Sequence, residues 1–162
     1  MNPIVMRRAT RADLPTLAAL LADDVLGRTR EPARSAPLDG YRRAFDAIER
    51  DANQALMVAT LDGRTAGMLQ LTFTPLLSHG GGWRATVESV RVAAAQRSAG
   101  IGRQMLEWAI ANAAQRGCHL VQLTTDKSRD RAICFYQRLG FRATHEGMKL
   151  ALTPDLASPT HP

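Results

Sequence analysis

One stretch restricts the architecture of this 162-residue chain more than any other: Val90-Arg91-Val92-Ala93-Ala94-Ala95-Gln96-Arg97-Ser98-Ala99-Gly100-Ile101-Gly102-Arg103. Val87, Val90 and Val92 are β-branched and favour extended backbone. After Gly102, the residues Met105, Leu106, Ala109, Ile110 and Ala113 recur three and four apart, the spacing of an apolar helix face. The chain therefore runs from a strand through a turn with two glycines into a helix. Such a junction aims several free backbone N–H groups the same way, with the positive end of the helix dipole behind them. It is a cradle for an anion, phosphate or pyrophosphate above all, and Gly100 and Gly102 let a ligand approach the main chain closely. Two common cradles are excluded. The dinucleotide fingerprint needs a third glycine where Met105 stands, and the Gly-Lys-Ser/Thr of a Walker loop is absent.

The flanking sequence supplies the remaining elements. Ile4 to Arg8 reads as a first strand, and Thr10-x-x-Asp13 resembles a capping box with Asp in place of Glu. Leu14, Leu17, Ala18, Leu21 and Val25 form an apolar stripe at helical period, with Pro15 tolerated in the first turn and Gly27 as the stop. A polar loop from Arg28 to Asp39 leads to a second helix, Tyr41 to about Asp51, with Ala44, Phe45 and Ile48 for packing. Gln54–Leu61 and Arg64–Phe73 read as strands joined by Asp62-Gly63, a favoured two-residue hairpin turn. A glycine-rich loop, Thr74 to Trp83, precedes the central strand Ala85–Ala93. Beyond the helix that follows Gly102, Gly117 caps, Leu120, Val121 and Leu123 mark a strand to about Thr125, and Arg129–Leu139 is helical. Gly140 stops that helix, and Phe141 opens a last extended segment to Leu150 or Leu152.

The expected order is β-α-α-β-β-β-α-β-α-β, an α/β (α+β) fold with a mixed, mostly antiparallel sheet flanked by helices. One domain, residues 1–152, with a frayed tail over 153–162, is expected from the length and from the proline-containing, small polar end. No internal repeat is visible.

With this order on the page, two short motifs gain weight. Arg97-x-x-Gly100-x-Gly102 resembles the pyrophosphate loop of the GNAT superfamily of N-acetyltransferases, and Ala132-x-x-Phe135-Tyr136-x-x-x-Gly140-Phe141 resembles that family's second motif. The resemblance runs from about residue 4 to 152. It implies acetyl transfer from acetyl-CoA to a primary amine by direct attack in a ternary complex, without a covalent enzyme intermediate.

That chemistry has three demands. The amine must lose a proton, because a lysine-like ammonium has a pKa of about 10.4. The thioester carbonyl must be polarised, and the departing thiolate needs a proton. Glu88 is the candidate base, placed by strand alternation on the face of Val90 and Val92. The resemblance makes Tyr136 the acid that protonates the sulfur. It also makes Arg97, Ser98, Ala99, Gly100, Ile101, Gly102 and Arg103 the pyrophosphate wrap. Val90 and Val92 become main-chain partners of the pantetheine arm. Where the family often has an Asn, this chain has Arg129, so Ser128 or Arg131 is expected to contact the cofactor instead.

Composition bounds the alternatives. The formal charge of +6 comes from scattered arginines with no block of five like charges, the pattern of a solvated surface with a phosphate-bearing ligand. No basic stripe is interleaved with aromatics, so nucleic acid is not an expected partner. No apolar run suits a membrane span or a signal peptide. Cys118 and Cys134 have no metal spacing and no disulfide framework, which fits a reducing cytoplasm and no metal. Cys134 reads as a small buried hydrophobe, and His79 and His145 are lone histidines.

The acceptor is expected to be a small-molecule amine, since no recognition domain is appended. In the fold so implied, its pocket draws on Leu26–Gly40, Thr74–Trp83 and His145–Lys149. Homodimers follow from the resemblance alone. The rivals are a non-catalytic acyl-CoA-binding or sensing module on the same fold and a nucleic-acid-binding domain.

Overall fold

The computed structural model describes residues 3–23, 38–150 and 152, and they fall into two compact units, Met1–Leu123 and Thr124–Pro162. Three expectations lie outside the described residues: Gly27 as a helix stop, most of the loop from Arg28 to Asp39, and the tail over 153–162.

The first unit is built on a five-stranded sheet in the order β1-β2-β3-β4-β5. The strands are β1 (Val5–Arg8), β2 (Gln54–Leu61), β3 (Arg64–Pro75), β4 (Trp83–Val92) and β5 (Cys118–Leu123). Neighbours are antiparallel except β4 and β5, which run parallel and are joined through a helix. The hairpin turn forms as its sequence requires, with Asp62 at φ 49° and Gly63 at φ 75°.

Helices cover both faces. On one lies α3 (Ile101–Gln115), whose buried residues Ile101, Met105, Leu106, Ala109 and Ala113 keep the helical spacing of the sequence. They meet the odd-numbered side chains of β3, among them the fully buried Leu69 and Leu71. Gly67 permits the closest approach: a Cβ there would sit 2.6 Å from the carbonyl oxygen of Arg91 and 2.7 Å from Sδ of Met105. On the other face, α1 (Leu14–Ala22) packs Leu17 against Val58 and Met68, and α2 (Asp39–Arg50) lies beside β2 with Phe45 buried. Arg11, just before α1, forms an ion pair with Asp46 of α2.

The start of α1 is stitched more firmly than a capping box alone provides. The Asp13 carboxylate accepts from the Thr10 N–H (2.7 Å) and hydroxyl (2.9 Å), and from both terminal nitrogens of Arg7 (2.8 and 2.7 Å). These charge-assisted bonds, the Arg7 guanidinium foremost, hold the Asp13 carboxyl well below the usual carboxylate range.

In the second unit, α4 (Asp130–Arg138) begins after Arg129, whose carbonyl accepts from Ala132 and Ile133 at 2.9 and 3.0 Å. Two expectations are corrected here. Residues 141–150 and 152 contain no strand, so the last β of the expected order is absent among the described residues. Met148, Leu150 and Leu152 alternate as a strand should, but they are exposed, and no described strand pairs with them. Cys134 is exposed rather than buried.

Candidate functional site

The site starts from an irregularity in β4. Glu88 pairs with Gln70 of β3, but the next registered pair is Arg91 with Met68. Ser89 and Val90 together therefore oppose Leu69 alone, and Ser89 sits at φ 52°. This is a β-bulge, which bends its strand and takes main-chain groups out of the ladder.

The bulge corrects the placement of Glu88. Residues directly opposite one another share a face, so Glu88 lies with Gln70, and Arg91 with Met68, on the side of α1 and α2. Val92 pairs with Gly67 and belongs to the α3 face. One extra residue has broken the alternation that put Glu88 and Val92 together. Glu88 is exposed, and two residues back along its face stand Thr86 and then Arg84.

At the same point β5 leaves β4. Their ladder runs from Trp83–Cys118 to Val87–Leu123 and registers no pair beyond it. From Glu88 to Val92, β4 has no described strand on that side, so Val90 and Val92 line an open edge. Their carbonyl oxygens accept from arginine side chains instead, Val90 from Nη1 of Arg91 at 3.0 Å and Val92 from Nε of Arg97 at 3.3 Å.

The loop then delivers its cradle. A single 3-10 turn, Ala94–Gln96, is followed by Arg97 in extended backbone and Ser98 at φ 65°. Gly100, at φ 75° and ψ 2°, is the residue that enters α3. The first bond of the helix runs from the Gln104 N–H to the Gly100 carbonyl at 3.2 Å, leaving Ile101, Gly102 and Arg103 at the open N-terminal turn. A side chain at Gly100 would strain the left-handed backbone that turns the loop into the helix. The flanking charges are already engaged. Nη2 of Arg97 donates to Asp23 at 2.8 Å, and Nε of Arg103 to Glu107 at 2.7 Å. Residues expected from sequence to bind the pyrophosphate are thus gathered in one loop, with main chain rather than free guanidinium as its main offering.

Ser128, Arg131 and Tyr136 lie in the second unit. The Ser128 N–H and hydroxyl both donate to Oδ1 of Asp126, at 3.0 and 2.7 Å. Arg131 is exposed at the start of α4. The half-buried Tyr136 ring meets Phe141 edge-on at 6.0 Å and Phe135 at 5.3 Å, so the A-x-x-F-Y-x-x-x-G-F motif folds as one aromatic cluster. Burial pushes the Cys118 thiol up, which keeps it protonated and unreactive near neutrality.

Sequence reasoning missed a cavity of about 130 Å³ between α1, α2 and the sheet. Leu14, Leu17, Phe45, Leu56 and Met68 supply apolar walls; Gln70 and the bulge residue Ser89 contribute its lining at the sheet. A roomier depression, about 370 Å³, lies at the β2–β3 hairpin turn and includes Gln96. The smaller cavity reaches the bulge. Helical periodicity had marked Leu14, Leu17 and Phe45 only as packing residues. Of the three expected acceptor segments, residues 26–37 are outside the described set, Thr74–Trp83 comprises the end of β3, a single helical turn at Ser78–Gly81 and the first residue of β4, and His145–Lys149 has no strand. Among the described residues, no three His, Cys, Asp or Glu are grouped as metal ligands, and no helix is long and apolar enough to cross a membrane.

Comparison with known proteins agrees with this arrangement. Residues 22–141 match the acetyltransferase (GNAT) family. The chain is 29% identical over 140 residues to the aminoalkylphosphonate N-acetyltransferase of Salmonella typhimurium, covering 86% of each. It is 31% identical over 140 residues to an L-methionine sulfoximine/L-methionine sulfone acetyltransferase of Pseudomonas paraeruginosa, covering 84% of this chain and 78% of that one. Among solved structures, a Bacillus halodurans protein described as a transcriptional regulator superposes with a TM-score of 0.87 at 51% identity, over 92% of this chain and 99% of its own. Loop, bulged strand and helix order, the family match and the acetyltransferase relatives converge: the chain belongs to the GNAT family and is an acyltransferase.

Proposed function

We propose that this chain transfers an acetyl group from acetyl-CoA to the primary amine of a small molecule. The observation that carries the reading is the break in β4, where an open strand edge, a bulge and a helix N-terminus follow one another within sixteen residues, Glu88 to Arg103. Acetyl-CoA supplies the activated acyl group. Val90 and Val92 offer main-chain groups to its pantetheine arm, and Ser98 to Arg103 surround its pyrophosphate with N–H groups at the positive end of α3. Main-chain N–H groups released by the bulge polarise the thioester carbonyl. Glu88 takes the proton from the attacking amine, and Tyr136 protonates the departing sulfur. Ser128 or Arg131 contacts the cofactor where the family often has an Asn.

The relatives named above act on an aminoalkylphosphonate and on methionine derivatives, which supports a small acceptor. The cavity beside Ser89 has the size to take a group of several carbon atoms, since an engineered apolar cavity of about 150 Å³ holds benzene. The reaction is tested by incubating the protein and acetyl-CoA with a panel of small amines and measuring thiol release. Turnover of at least one amine, reduced about 100-fold in Glu88→Gln with the alkaline limb of the pH profile retained, is expected. Cofactor binding without turnover of any amine would favour the acyl-CoA-sensing alternative.

Nucleic-acid binding is the lesser alternative, raised by the description of the Bacillus halodurans relative as a transcriptional regulator. It predicts duplex DNA binding that falls steeply with salt and no stabilisation by acetyl-CoA.

A further inference from the structure

The sheet face that carries Glu88 also carries an unexplained cation. Arg84 lies four residues earlier on β4, on the same side, in a row with Thr74 of β3 and Leu120 of β5. It is half-buried, and its Nε is buried with no hydrogen-bond partner among the described residues. No described carboxylate forms an ion pair with it. The polar groups around it are differently placed. In the next row, Gln122 donates to Thr86 at 3.2 Å, and Thr72 and Gln70 both donate to Oε1 of Gln54, at 3.2 and 2.8 Å. Gln54, Gln70, Thr72, Thr86 and Gln122 are thus bonded among themselves, and the Arg84 guanidinium has no described counter-charge. A buried donor on a charged group is costly to leave unpaired, so its retention calls for a partner of opposite sign.

We infer that Arg84 binds an anionic group of the acceptor, so that the substrate is a small amine that also carries a carboxylate, phosphonate or phosphate. This rests on the acetyl-transfer reading and deepens it. Along a strand, four residues span about 13 Å. Glu88 at one end of that span takes the ammonium; Arg84 at the other takes the anion through its planar fork of donors. Thr86 and Gln122 between them are tied to each other and leave the two charges as the readers of the substrate. A neutral amine of the same size would leave the guanidinium unpaired, which turns affinity into selectivity.

The test compares matched acceptors, an amino acid or aminoalkylphosphonate against the corresponding amine without its acid group, in the parent and in Arg84→Gln and Arg84→Lys. The parent is expected to prefer the acidic amine at least tenfold in kcat/KM. Arg84→Gln should lose about 30-fold on the acidic amine, chiefly through KM, and stay within threefold on the neutral one. Arg84→Lys should fall between, because it keeps the charge and loses the fork. The KM for acetyl-CoA and the unfolding temperature report whether each variant is folded and loaded. Equal losses on both amines, or no preference in the parent, would overturn the assignment. If the parent turns over no amine, calorimetry with the same pairs in the presence of CoA decides it: binding of the acidic amine that Arg84→Gln abolishes supports the site even though the transfer reading has failed, and equal binding of both amines overturns it.

Discussion

The two halves of β4 differ in a way that explains the molecule. From Trp83 to Val87 the strand is paired on both sides, and Ala85 and Val87 are buried between β3 and β5. From Glu88 to Val92 it is bulged, paired with a described strand on one side only, and none of its side chains is fully buried. The first half is scaffold. The second gives up ladder bonds and burial and gains an edge and a set of re-aimed backbone groups, at the point where the chain enters a loop shaped for an anion. The proposed binding element is thus cut into a structural one by a single extra residue and an early end to β5.

The largest effect is expected at Tyr136, the proposed proton donor, which lies in the second compact unit. Tyr136→Phe should lower kcat about 100-fold while the KM for acetyl-CoA stays within threefold, as steady-state kinetics would report. A proportionate rise in KM with kcat intact would instead make Tyr136 a packing residue.

Smaller, but more direct for the comparison, is the paired truncation of two valines on one strand. Val87, 2% exposed, should cost about 2 kcal/mol as Val87→Ala, a fall of roughly 4–8 °C in Tm, with any acetyl-CoA response retained. Val92→Ala in the open half should cost less than about 1 kcal/mol. Equal costs would mean that the two halves are not distinct.

A further effect of similar size lies away from β4, in the Arg7–Asp13 pair. Because the Asp13 carboxyl is held below its ordinary value in the folded state, its contribution is complete above the ordinary carboxylate range and is lost as pH falls through the folded value. Asp13→Asn should therefore cost about 1–2 kcal/mol at neutral pH. In a pH series of thermal melts, the gap between parent and variant should hold near neutrality and narrow progressively as the pH falls below about 4.

How much of this was legible follows from what local sequence encodes. The stripe from Met105 to Ala113, the Asp62-Gly63 turn and the glycine junction at Gly100 are local patterns, and each forms as its residues dictate. The bulge was not legible, because nothing in Glu88-Ser89-Val90 demands a positive φ at Ser89; the register with β3 imposes it. Strand alternation then gave Glu88 the wrong companions. Met148, Leu150 and Leu152 show the converse: alternation describes a strand's side chains, but a strand exists only where another backbone pairs with it. Arg84 escaped notice because its meaning lies in a partner it lacks, and a missing contact leaves no mark in sequence. Residues of the second motif were legible as a motif, and Tyr136 does cluster with Phe135 and Phe141; its proposed role in proton transfer is for the Tyr136→Phe kinetics to test.

The central claim is that the open half of β4 and the loop after it hold acetyl-CoA. Thermal unfolding of the parent and of Gly100→Glu, each with and without acetyl-CoA, tests it most directly. At about a hundred times its dissociation constant the ligand should add roughly 2.7 kcal/mol and raise the parent's Tm by about 5–11 °C. The variant, whose side chain strains the loop and crowds the cradle, should show no rise. An unmoved parent, or an equal rise in both proteins, would contradict the account.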